Sequence, residues 1–268
     1  MKREIAVVAM VACLAGGFLA GWFIPPLFEA PSGELVSKIK SRGELRVGTS
    51  ADYPPFEFYN DTDIVGFDVD VCTLIADEIG VDLEMVHMDF DALIGACAAG
   101  TIDMVAAALT YDPTTEIGQQ RAKQLAPSIP YITVAQVVVT LGSSGLSIAN
   151  LSDLASLGIN QVGCQSGTVM ESELISAGVT PATFASALLL MQDLVSGTGV
   201  QAVYIDEPVF TSWNNTYDLK IIFTTGTDPM SLWCRHEDPD LLYVINTVIL
   251  KGYELNGTMY TLLAKWFE

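Results

Sequence analysis

Residues 98–110 read AAGTIDMVAAALT and residues 195–207 read VSGTGVQAVYIDE. Each is a helix end, a glycine turn and an apolar run that enters polar residues, the pattern of a buried strand leading into a loop. The same unit met twice in one chain points to two similarly built α/β lobes. Around the first copy, the spacing predicts strands over 45–49, 83–88 and 102–107 and helices over 68–79 and 92–99. Around the second, it predicts strands over 160–164 and 200–205 and helices over 169–177 and 187–195. Strands alternating with helices imply parallel sheets covered on both faces. Ligands of open α/β sheets bind beyond the carboxyl ends of the strands. Thr110 and Asp206 occupy those ends, so a cleft between lobes brings them face to face.

The chain of 268 residues is half hydrophobic and long enough for one large or two small domains. Its formal net charge of −20 argues against nucleic acid and against an anionic membrane surface as partner for the body. Lys2 and Arg3 precede the charge-free run Ile5 to Ile24, which ends at Pro25-Pro26. As a helix that run matches the roughly 30 Å hydrocarbon core of a bilayer. An uncleaved anchor is the first reading, with a cleaved signal peptide and lipid attachment at Cys13 as alternatives. The two leading basic residues favour an inside N-terminus, which puts the body on the extracytoplasmic side of the cell membrane. Sequons at Asn60, Asn150, Asn214 and Asn256 agree with that location. Cys72 and Cys97 fall on apolar helix positions and read as small core residues, a disulfide between them being the alternative.

Several motifs suggest chemistry and fail on context. GTGVQA (197–202) precedes a strand, whereas a dinucleotide fingerprint follows one. GCQSG (163–167) is not a nucleophile elbow. Asp61, Asp63, Asp68 and Asp70 resemble a calcium loop, but Val65 stands at the third ligand position. The two histidines, His87 and His236, form no cluster for zinc. No cofactor, metal or catalytic residue is therefore expected.

GELRVGTSADYPPFEFYN (43–60) and GFDVDVCTLIADEIG (66–80) resemble the polar amino acid family, family 3, of ABC-transporter solute-binding proteins. MDFDALIGACAAGTIDM, RAKQLAPSIPY, QSGTVME, VYIDEPV and NGTMYTLLAKWF follow the same family in order, so the resemblance covers residues 43–268. It implies a type II periplasmic-binding-protein fold, two α/β lobes joined by a two-strand hinge and here preceded by an N-terminal apolar helix. The implied layout is an anchor or signal segment over 1–28 and a linker over 29–42. Lobe one spans 43–134 plus 231–268, lobe two 140–225, and the hinge 135–139 and 226–230. It also implies a monomer that captures an amino acid and delivers it to an ABC permease.

Arg121 and Lys123 are two of only three positive charges between Val47 and Cys234. The resemblance makes Arg121 the grip on the ligand α-carboxylate, a task suited to a planar, permanently charged guanidinium. It assigns Thr110, the backbone at Ala107 and Ala108, Thr168 and the amide of Val169 to the same end. The family's short run before this arginine is stretched here to TYDPTTEIGQQR (110–121), enough to displace the guanidinium or to form a rim. Asp206 matches the carboxylate that receives the α-ammonium, or caps a helix before Glu207-Pro208. Tyr53 and Phe90 are the implied aromatic walls, and Gln165 faces the ligand side chain. Ser50 stands where relatives that bind glutamine or basic amino acids carry an acid, which disfavours a basic ligand and favours a neutral polar or apolar one. The competing readings are an enzyme on the same fold, of the cyclohexadienyl dehydratase type, with Glu57 or Glu171 as general acid, and a ligand-sensing ectodomain.

Overall fold

The computed structural model describes residue 31, residues 33–255 and residues 257–268. The expected membrane segment, residues 1–28, and Cys13 lie outside the described residues. Among the described residues no helix is long and apolar enough to cross a membrane. In chain order the elements are α1 (Leu35–Arg42), β1 (Glu44–Thr49), β2 (Asp52–Tyr53), β3 (Glu57–Asn60), β4 (Asp63–Val65), α2 (Phe67–Ile79) and β5 (Asp82–His87). Then come α3 (Leu93–Ala98), β6 (Met104–Val105), α4 (Glu116–Gln124), β7 (Ala126–Pro127), β8 (Ile132–Leu141) and β9 (Val162–Gln165). The rest are α5 (Val169–Ser176), β10 (Ala182–Phe184), α6 (Ala187–Ser196), β11 (Ala202–Asp206), α7 (Glu207–Asn214), β12 (Leu219–Met230), β13 (Trp233–Cys234), α8 (Pro239–Gly252) and α9 (Thr258–Phe267).

Two five-stranded sheets result. The first has the order β5-β1-β6-β13-β7 and the second β10-β9-β11-β8-β12. In each, three strands run parallel and the strands that pass between the sheets pair antiparallel. A small antiparallel sheet, β2-β3-β4, carries the YPPFEF stretch. The chain leaves the first sheet at β7, crosses along β8 and returns along β12 to β13. Strands 132–141 and 219–230 pair along most of their length, and an isolated bridge from Met230 to Thr110 joins β12 to the first sheet's loops.

Local chemistry explains the elements. Along α2, Val71, Cys72, Ile75, Ala76 and Ile79 are buried at helical spacing, and Gly80 in the left-handed region ends the helix with its N–H on the Ala76 carbonyl. Gly66 before α2 has φ 140°, and a Cβ there would sit 2.0 Å from the Phe56 carbonyl oxygen, so the turn into α2 requires glycine. Every residue of β11 is buried, as befits an interior strand covered on both faces.

Two expectations need correction. Residues 35–42, read as linker, form α1, whose Leu35 and Ile39 are buried. The Val36 N–H donates to Asp240 on α8 at 2.9 Å, so polar composition here marks an amphipathic helix. The strand expected over 102–107 is paired only at Met104 and Val105. Asp103 and Ala106 on either side still donate their N–H groups to the Arg46 and Gly48 carbonyls of β1, and the chain then turns at Ala108, φ 45°. The four described cysteines are free, and Cys72 and Cys97 lie in separate apolar clusters.

Candidate ligand-binding site

A cavity of about 340 Å³, part of it open to solvent, lies between the carboxyl ends of the two sheets. From the first sheet's side it is lined by Ser50, Asp52, Tyr53, Glu57, Phe90, Ala107, Ala108, Thr110 and Arg121. From the second it is lined by Gln165, Thr168, Met170 and Asp206. Of the residues that the resemblance assigns to ligand binding, the structure brings together all but Val169, the buried first residue of α5. Asp52 and Met170 are lining residues that the sequence reading did not name, and Glu57 entered it only as a general-acid candidate.

Arg121 sits in the last turn of α4 and is 4% exposed. The stretched segment before it folds as a turn and the first half of α4. The helix is capped by the Thr115 hydroxyl, which accepts the Gly118 N–H. The extension therefore starts the helix that delivers Arg121 and does not push it away. Its guanidinium donates to the Thr110 carbonyl at 2.9 Å and, across the cavity, to the Gly167 carbonyl at 2.8 Å. It lies 5.8 Å from the centre of the Phe90 ring. Burial lowers its pKa to about 10, with Asp228 opposing, so it stays cationic at neutral pH. Lys123, two residues on, is exposed.

The acidic groups face it. Asp206 ends β11 at the N-cap position of α7, but its carboxylate makes no cap hydrogen bond. Tyr53 reaches over from the first sheet's side and donates its hydroxyl to Asp206 Oδ2 at 2.7 Å. Asp206 Oδ1 and Glu57 Oε2 are both buried with no hydrogen-bond partner among the described residues. Burial raises the pKa of Asp206 well above the carboxylate range, reinforced by Asp228. Burial does the same to Glu57, reinforced by Asp68 and Asp52. Among the described residues lining the cavity, Arg121 is the only cation, against Asp52, Glu57 and Asp206.

A layer behind the lining fixes it. Asp68 accepts the Ala108 N–H at 2.9 Å and the Tyr131 hydroxyl at 2.7 Å, which holds the backbone wall at Ala108 in its left-handed turn. Thr110 donates its hydroxyl to Asp228 on β12 at 2.6 Å, rather than presenting it to the cavity. Asp228 also accepts Gln136 Nε2, whose amide oxygen takes the Tyr204 hydroxyl. Thr168 precedes α5 and donates to the Gln165 carbonyl at 2.7 Å. Glu171, the other general-acid candidate, accepts the Gly167 N–H at 2.8 Å and is not among the lining residues.

Two sheets whose carboxyl ends face one cavity, joined by a pair of crossing strands, are the architecture that the sequence resemblance implies. Residues 45–268 match the model of the bacterial extracellular solute-binding proteins, family 3. The chain belongs to that family. It is 32% identical over 231 residues to the arginine-binding extracellular protein ArtP of Bacillus subtilis, covering 84% of this chain and 86% of that one. It is 28% identical over 268 residues to the L-cystine-binding protein TcyJ of Escherichia coli, covering 97% of this chain and 94% of that one. Among solved structures it is similar to an ancestral amino acid-binding protein, a precursor of cyclohexadienyl dehydratase. There the TM-score is 0.79 and the identity 30%, over 87% of this chain and all of the other. The fold is the type II periplasmic-binding-protein fold, in a family of extracytoplasmic solute-binding proteins of ABC transporters.

Proposed function

We propose that the protein captures an amino acid with a cationic side chain between its two sheets and passes it to an ABC permease. Residues 1–28 hold the body at the outer face of the cell membrane in this reading, and the protein acts as a monomeric binder without catalysis. Arg121 takes the α-carboxylate as a charge-assisted fork, helped by the backbone at Ala107 and Ala108 and by the start of α5 at Thr168 and Val169. Asp206 takes the α-ammonium on its unpartnered Oδ1. Tyr53 and Phe90 sandwich the aliphatic stem, and Ser50 and Gln165 complete the polar lining.

The observation that carries the choice of side chain is Glu57. Its buried Oε2 lacks a partner in the same cavity as Arg121 and Asp206, the groups that this reading assigns to the ligand's own carboxylate and ammonium. A buried carboxylate without a counter-charge is costly, and a guanidinium or ammonium on the ligand supplies one. The expectation from Ser50, that a basic ligand is disfavoured, considered position 50 without Glu57, which stands in the same cavity. That ArtP is named for arginine agrees with this reading. Mass spectrometry of small molecules released from the denatured purified protein is the test. Arginine or another basic amino acid is expected, and release of an acidic amino acid in stoichiometric amount overturns the proposal.

A further inference from the structure

Asp52 lines the cavity, yet its carboxylate is directed elsewhere. Oδ2 accepts the Ala187 N–H at 2.7 Å and the Ser186 hydroxyl at 2.5 Å. Oδ1 accepts the Ser50 hydroxyl at 3.2 Å. Ser186 is the N-cap of α6, and its hydroxyl also accepts the Leu189 N–H. Along α6, Ala187, Leu190, Met191 and Leu194 are buried, so the helix is fixed to the second sheet. Asp52 belongs to the small sheet β2-β3-β4, whose β3 and β4 pack on α2 beside the first sheet. A carboxylate from one side of the cavity therefore caps a ten-residue helix on the other. The positive end of the helix and the charged acceptor both strengthen that contact.

Two other contacts cross the cavity, Tyr53 to Asp206 and Arg121 to Gly167. Both use groups that the ligand engages in the function proposed above. The contact of Asp52 with α6 uses none of them and is made with no ligand present. We propose that Asp52 and the N-terminus of α6 form a latch that holds the two sides together and sets the lifetime of the captured ligand. Asp52 is then a positioning residue for closure. The inference rests on that functional reading in requiring that the two sides be able to part for ligand to leave.

The test uses the purified protein with Asp52→Ala, Asp52→Asn, Ser186→Ala and the double variant Asp52→Ala/Ser186→Ala. Small-angle scattering without ligand and stopped-flow release of L-arginine are the two readouts. Ser186 does not line the cavity, so its substitution leaves the ligand's surroundings unchanged. Asp52→Ala and Ser186→Ala are each expected to increase the ligand-free radius of gyration. Each should also speed release about tenfold, or 1.4 kcal/mol, with association changed less than about twofold, because the latch forms after encounter. The double variant should release no faster than the faster single one, since both remove the same contact, and Asp52→Asn should fall between wild type and Asp52→Ala. The proposal is overturned if Asp52→Ala weakens L-arginine binding while Ser186→Ala leaves scattering and release unchanged, because Asp52 then acts on the ligand. It is equally overturned if neither variant moves either readout. Should wild type fail to bind L-arginine while Asp52→Ala still expands it, the latch stands and the ligand assignment fails.

Discussion

The two sides of the cavity are built from similar α/β units but equipped differently. The first sheet's side supplies Arg121, Glu57 and the rings of Tyr53 and Phe90. The second supplies Asp206, Gln165, Met170 and, through Gly167 and Thr168, the backbone before α5. Charge that distinguishes one amino acid side chain from another is concentrated on the first side. The groups proposed for the parts that all amino acids share are divided, Arg121 on the first side and Asp206 on the second. In this account the first side selects and the second closes.

The largest expected effect comes from Arg121→Ala. Removing one partner of a buried charged pair typically costs 2 to 5 kcal/mol, so affinity for every amino acid should fall by at least about 2 kcal/mol in calorimetry. Retained affinity would move the carboxylate site to the second side and reverse the comparison. Next is Glu57→Gln, expected to weaken L-arginine by roughly 1.5 to 3 kcal/mol, the range for a charged hydrogen bond. L-citrulline, a neutral molecule of the same shape, should be little affected. Equal losses for both ligands would make Glu57 a structural acid and remove selection from the first side.

The acids also set a pH dependence. Burial raises Asp68 to about 6 and Asp228 to about 7, and lifts Glu57 and Asp206 well above the carboxylate range. The folded state therefore binds protons that the unfolded chain, with carboxyl pKa values near 4, has released. Stability contributed by these groups is present at low pH and is lost as pH rises through the folded-state values. Without ligand, the melting temperature should fall between about pH 5 and pH 8, and the fall should shrink in Glu57→Gln and Asp228→Asn. A melting temperature that rises across that interval in wild type would show that these carboxylates are ionised and satisfied when folded. The smallest effect is expected from Thr168→Ala, on the second side. It should lower affinity for L-arginine and L-citrulline alike, by about 0.5 to 1.5 kcal/mol. A loss confined to one ligand would show that the second side selects too.

The sequence made most of this architecture legible because the periodic signals are strong. The α2 and α6 stripes and the apolar run of β11 lie where spacing puts them, within a residue or two. Arg121 stood out because positive charge is scarce, and Asp206 because it follows a buried strand. Other features depend on tertiary contacts that a linear pattern does not encode. The polar segment 35–42 is helical because α8 offers it an apolar face and the Asp240 carboxylate. Asp228 falls in the implied hinge segment 226–230, but nothing in the sequence marks it as buried under Thr110 and Gln136 by the pairing of β12 with β8. Glu57 had a visible signal, an acid between Phe56 and Phe58 in an apolar strand, but a structural role after Pro54-Pro55 explained it equally well. Asp52 carried no signal, since its partners lie 134 and 135 residues away.

Calorimetric titration of the purified protein with L-arginine and then L-citrulline, in two buffers of different ionisation enthalpy near pH 6, tests the central claim most directly. The account predicts that L-arginine binds at least about tenfold tighter, since a charged hydrogen bond is worth roughly 1.5 kcal/mol or more. It also predicts that L-arginine releases more protons, because a cation beside the buried Glu57 pulls its raised pKa down. Equal affinities with equal proton release would contradict the assignment of Glu57 to a cationic ligand side chain.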